Sequence, residues 1–97
     1  MNRDDKTMMK YKLKSSVVYR KEEDGALIYD HESGNMKPLN EIAAAMCELM
    51  FMEFKSKEDT LSVIKSKWRV SDDDLVRHDI DEFIAGMKKF GFIVPAE

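Results

Sequence analysis

At residue 40 the hydrophobic period of the chain changes from two to about 3.6, and that break constrains the fold more than any other feature. Before it lie short runs with strand character, separated by clusters of turn formers. Val17-Val18-Tyr19-Arg20 is β-prone and is ended by Glu23-Asp24-Gly25. Ala26 to His31 reads as a second strand, Glu32-Ser33-Gly34-Asn35 as a second turn, and Met36 to Leu39 as a third strand. Tight turns between successive runs predict an antiparallel meander. Pro38 has no N–H to give to a ladder, so the third strand is expected at a sheet edge.

After the break the pattern is helical. Asn40 suits an N-cap, and Ile42, Ala45, Met46, Leu49 and Met50 follow in register, with Glu53 at the limit, for a first helix of roughly thirteen residues. Ser56-Lys57-Glu58-Asp59 resembles a capping box, and Thr60, Leu61, Ile64 and Trp68 give a second helix. Ser71-Asp72-Asp73-Asp74 opens a third, with Val76, Ile80, Phe83, Ile84, Met87 and Phe90 as its apolar stripe. Gly91 is placed to end that helix in a left-handed conformation. The predicted fold class is α+β: a winged helix-turn-helix in which an N-terminal three-stranded antiparallel sheet precedes three helices.

The chain has 97 residues, enough for one core. Residues 16–94 are expected to form the domain. Residues 1–15, where Met8, Met9, Tyr11 and Leu13 are scattered among charges, read as a flexible basic tail. The first 21 residues carry net charge +5 and the rest −8, so the folded part is acidic. That argues against nucleic acid as a partner, because neutralising phosphates supplies most of the affinity for a duplex. No apolar run is long enough for a bilayer, and no signal-like segment is visible at the N-terminus, so the expectation is a cytoplasmic protein without a membrane partner.

Catalytic chemistry is hard to find. Cys47 is the single cysteine and sits in an apolar helical pattern, which predicts a packing role and a reducing compartment. His31 and His78 have no ligand-pair spacing with it, so no metal site is expected. Asp72, Asp73 and Asp74 point about 100° apart on a helix, so they cap it and do not converge on an ion. Several of the eight methionines, such as Met46, Met50 and Met87, fall on core stripes and fill gaps there; Met36 and Met52 have no such assignment. There is no phosphate loop, nucleophile elbow or acid/base pair. The expectation is a protein that is not an enzyme and holds no cofactor.

Three stretches together carry a resemblance: Leu27-Ile28-Tyr29-Asp30-His31-Glu32-Ser33-Gly34, Leu39-Asn40-Glu41-Ile42-Ala43-Ala44-Ala45, and Asp79-Ile80 followed by Phe83-Ile84, Met87 and Gly91-Phe92-Ile93. In this order, across residues 17–94, they resemble the PqqD-like family, the recognition elements that bind precursor peptides in pathways of ribosomally synthesised, modified peptides. Ser56 stands where the family has a capping Thr, and Trp68 where it has an aromatic at the end of the second helix. Phe51-Met52-Glu53-Phe54 replaces the Asp-Gly pair common after the first helix.

The resemblance implies a non-catalytic protein that captures the leader of a precursor peptide and presents it to a tailoring enzyme, a radical-SAM maturase being the implied class. It also implies that the leader adds as a strand beside the third strand and sinks apolar side chains against the third helix. The strand candidates are Gly34, Asn35, Met36, Lys37, Pro38 and Leu39. On the helix, Arg77, Asp81, Ile84 and Lys88 lie along one flank, with Ile80 next to them at the centre of the stripe. Arg77 and Lys88 would favour acidic residues in the leader, and Asp81 a basic one. The competing class is a winged-helix DNA-binding transcriptional regulator, which the acidic third helix disfavours.

Overall fold

A computed structural model describes residues 10–96. Its meander consists of β2 (Val17–Glu22), β3 (Gly25–Asp30) and β4 (Met36–Asn40), antiparallel and in sequence order. Glu22 pairs with Gly25 across a two-residue turn. Gly25 has φ +152°, and a Cβ there would lie 2.0 Å from the Leu39 carbonyl oxygen, so only glycine lets β3 and β4 approach at this point.

Helix α1 (Glu41–Cys47) runs directly into a wider π-helical turn, Glu48–Met52. Helix α2 spans Lys57–Trp68 and α3 spans Asp73–Lys89. All three expected N-caps are made: Asn40 Oδ1 accepts from Ala43 N at 2.8 Å, Ser56 Oγ from Asp59 N at 3.0 Å, and Asp72 Oδ1 from Leu75 N at 3.1 Å. Asp72, Asp73 and Asp74 therefore sit at the start of α3, where the helix dipole favours them. At the other end Gly91 adopts φ +79°; its N–H donates to Lys88 O and that of Phe92 to Met87 O, both at 3.0 Å. Phe92 and Met87 are both buried, which completes a Schellman ending.

Three features differ from the sequence reading. Residues 11–13 form a strand, β1 (Tyr11–Leu13), paired antiparallel with β5 (Ile93–Pro95), so the ordered chain begins before residue 16; residues 1–9 of the expected tail lie outside the described residues. No local periodicity announces this pair, because each strand is stabilised by the other end of the chain. The first helix stops at Met52, short of Glu53. Its last turn is π-helical, Glu53 N donates to Glu48 O, and Phe54 takes φ +60° where a glycine would be easier. Lys10 Nζ donates to the Phe54 carbonyl at 2.6 Å and holds this exit.

The core lies between the inner face of the sheet and the helices. Ile28, Leu39, Met46, Ile64, Ile80, Met87 and Phe92 are buried there, along with Cys47, whose thiol burial pushes up to about 12. Asp30 is the buried carboxylate. Its Oδ1 accepts from Glu32 N at 2.9 Å and Lys14 Nζ lies 3.4 Å from Oδ2. Ser16 Oγ is buried without a hydrogen-bond partner, and the Asp30 carboxylate is the acceptor nearest to hand for its proton. The Ser16 hydroxyl, the Glu32 amide, the Ser33 hydroxyl and last the Lys14 charge hold the Asp30 carboxyl well below the usual range. Among the described residues no helix is long and apolar enough to cross a membrane.

Candidate functional site

The site follows from how β4 uses its backbone. Asp30 N donates to Asn35 O at 2.8 Å, while Asn35 N turns to Ser33 Oγ, so this single bond marks Asp30–Asn35 as the hydrogen-bonded position at the turn end of the ladder. Such pairs alternate along an antiparallel ladder, so Ile28–Lys37 and Ala26–Leu39 are bonded pairs, while Tyr29–Met36 and Leu27–Pro38 are not. Lys37 and Leu39 direct their N–H and C=O groups to β3. Met36 and Pro38 direct theirs outward, where the described residues provide no further strand. The Pro38 nitrogen thus faces away from β3, and its missing N–H leaves no gap in the sheet. The open edge offers the N–H and C=O of Met36 and the C=O of Pro38.

Side chains alternate across the same strand. Leu39 is buried in the core, and half-buried Lys37 places its ammonium 5.5 Å from the centre of the Phe90 ring. Met36, 63% exposed, and Pro38 lie on the outer face. Gly34, at φ +83°, makes the preceding turn. Asn35 Nδ2 donates to Phe90 O at 2.9 Å and ties that turn to the end of α3.

Between β4 and α3 runs a groove of about 300 Å³. Ile42, Ala43 and Met46 of α1, with Phe83 and Met87 of α3, give it an apolar floor. Asp79 and Glu82 stand along its α3 wall, Gly86 opens it in the middle, and Lys37 and Phe90 close one end. At 100° per residue, Asp79, Phe83, Gly86 and Phe90 fall within about 60° of one another.

The helix flank expected from the sequence is on the other side. Arg77, Asp81, Ile84 and Lys88 centre about 160° away from the groove residues. Arg77 Nη2 is 3.0 Å from Glu58 Oε1 of α2, and this hydrogen-bonded guanidinium lowers the Glu58 pKa. Asp81 Oδ1 lies 2.6 Å from Lys57 Nζ, also on α2. Lys88 covers the Tyr11 ring of β1 at 5.3 Å. Ile84 is half-buried against the core, and Ile80 is 1% exposed within it. The apolar stripe points α3 at the core but leaves its two flanks equivalent, and α2 and β1 cover the flank that the sequence reading chose. The groove residues missed were Asp79, Glu82, Gly86 and Phe90 on α3 and the Ile42, Ala43, Met46 side of α1. The signal for the first group was the i, i+4, i+7, i+11 row Asp79, Phe83, Gly86, Phe90, which contains a mid-helix glycine and has Glu82 beside it at i+3.

A separate cluster pins the sheet to the helices. Tyr19 Oη donates to Glu48, with Lys21 Nζ 3.2 Å from the same carboxylate oxygen. Burial, then the Glu48 acceptor, pushes the Tyr19 phenol far up, and the Tyr19 hydrogen bond with Lys21 lowers Glu48. Among the described residues no three His, Cys, Asp or Glu side chains gather as a metal ion would require.

No family model matches the chain, and no curated protein does. Two solved structures are similar to it. The structure described as TbiB1 in complex with the TbiA(beta) leader peptide has a TM-score of 0.76 at 20% identity, covering 84% of this chain and 93% of that one. The structure of a lasso peptide synthetase B1 complexed with the leader peptide has a TM-score of 0.79 at 20% identity, covering 89% and 99%. At that identity the likeness establishes a shared fold.

Proposed function

We propose that this protein is a non-catalytic peptide-binding protein that captures the leader of a ribosomally synthesised precursor by strand addition to β4 and presents it to a tailoring enzyme. The observation that carries the reading is the open edge of β4 beside an apolar groove. The fold supports it, since both similar structures were solved with a leader peptide bound. The edge supplies backbone hydrogen bonds, and the groove supplies pockets that select side chains. Burying two or three aliphatic side chains at about 1.5 to 3 kcal/mol each, less ordering costs, gives affinity in the micromolar range or somewhat tighter.

The resemblance read in the sequence implies a PqqD-like recognition element serving a radical-SAM maturase. The similar structures include a lasso peptide synthetase B1, so the chemistry of the partner enzyme is for its own test: co-purification with a candidate radical-SAM maturase. A duplex-binding role is disfavoured by α3, which exposes Asp74, Asp79, Asp81 and Glu82 to solvent.

Titrating a candidate leader peptide into isotope-labelled protein tests the function. The expected shifts concentrate on the amides of residues 34–40 and on residues 79–90 of the groove wall. Shifts confined to α2 or to the Tyr19–Glu48 side would end the proposal.

A further inference from the structure

The charges on α3 are divided by face. On the covered flank they are matched: Arg77 pairs with Glu58, Asp81 with Lys57, and Asp73 with Lys65. On the groove wall, Asp79 has no ion-pair partner among the described residues, and Glu82 meets only His78 Nε2, at 3.2 Å. Lys37 stands apart from both, over Phe90 at the far end. The groove therefore carries a carboxylate pair toward its Asp79 end and one cation at its Phe90 end.

Gly86 lies between them. Glycine in a helix interior is less favourable than alanine, and nothing inside the fold requires it here. Its φ is not positive, and a Cβ built on it would meet no atom within 4 Å. What the missing side chain leaves is space in the groove, above the floor formed by Ile42, Met46 and Phe83.

The geometry points to a side-chain code for the docked strand: a bulky apolar residue seated over Gly86, preceded by a Lys or Arg that meets Asp79 and Glu82 and followed by an acidic residue that meets Lys37. This rests on the leader-binding reading above and reverses the charge preference expected from the other flank. The order follows from polarity. Asn35 and Lys37 lie beside Phe90, while Ile42 and Ala43, beyond the end of β4, share the groove with Asp79 and Phe83, so β4 and α3 run in opposite directions. Every pairing in this sheet is antiparallel, and a strand that continues that order beside β4 runs along α3 from Asp79 toward Phe90. That distance is about 16 Å of helix, which an extended chain crosses in about five residues.

Random peptides displayed on phage and selected on the full chain test the code directly, read with amide titrations of the winners. The expected winners place Lys or Arg before, and Asp or Glu after, a bulky apolar residue, and they shift residues 36–40 and 79–90. The double change Asp79→Asn with Glu82→Gln should weaken them about three- to tenfold, with the loss shrinking at high salt. Gly86→Leu should weaken them at least tenfold without lowering the melting temperature, and the milder Gly86→Ala reports the same direction. Winners that shift the groove amides but are acidic at the first position, carry the reverse order, or ignore the Asp79 and Glu82 changes overturn the code and leave the leader-binding reading standing. If no selected peptide shifts β4 or the groove wall, both fall.

Discussion

A pair of proline substitutions on adjacent residues isolates the backbone of β4. Met36 is the first residue of the strand, its side chain is largely exposed, and the ladder register turns its N–H outward. Met36→Pro therefore removes no bond from the sheet, and the folded state should change by less than about 1 kcal/mol. What it removes is the one N–H that β4 offers a docked strand between Gly34 and Leu39 on the outward side. A hydrogen bond of this kind contributes about 0.5 to 1.5 kcal/mol, so the Kd of a peptide selected on the unmodified chain should rise about two- to tenfold. Lys37→Pro is the control. The Lys37 N–H faces Ile28, a residue with 0% exposure, so its loss leaves a buried carbonyl unpaired and should cost at least about 2 kcal/mol. For a domain of this size that lowers Tm by roughly 10 °C. Circular dichroism melts and fluorescence anisotropy read both quantities. If Met36→Pro destabilises the fold as much as Lys37→Pro does, the outward assignment is wrong. If Met36→Pro folds and binds with unchanged Kd, the edge is not the docking strand.

Four further outcomes are expected. Gly25→Ala, whose Cβ would collide with the Leu39 carbonyl, should lose more than about 3 kcal/mol in denaturant unfolding, among the largest effects in the chain. Asp30 has a folded-state pKa below its ordinary 3.8, so its contribution to stability is fully present above that value and is lost as pH falls below it toward the folded value. Asp30→Asn should accordingly destabilise the protein at neutral pH and flatten the acid limb of its stability profile, measured by denaturant midpoints across pH. Arg77→Ala should leave both peptide affinity and the denaturant midpoint nearly unchanged, because Arg77 serves an exposed pair with Glu58 away from the groove. Cys47, 0% exposed with its thiol pushed up to about 12, should react with iodoacetamide only as fast as the chain opens, so labelling and unfolding rates should coincide.

The sequence by itself determined the local decisions. The change of period at residue 40, the three capping side chains Asn40, Ser56 and Asp72, the turn at Glu23-Asp24 and the left-handed stop at Gly91 each involve neighbours within a few residues, and the structure has them all. The edge position of β4 was also legible, since Pro38 lacks the donor an interior strand needs. Tertiary structure decided what depends on distant partners. β1 and β5 pair the two ends of the described chain, and neither has a period of its own long enough to declare a strand. The side of α3 that borders the groove belongs to the same class. An amphipathic stripe specifies the direction of the core, but its two flanks are related by rotation about the helix axis and look alike in one dimension. Once α2 takes the Arg77 and Asp81 flank through Glu58 and Lys57, the Asp79, Glu82 and Gly86 face is left open beside β4.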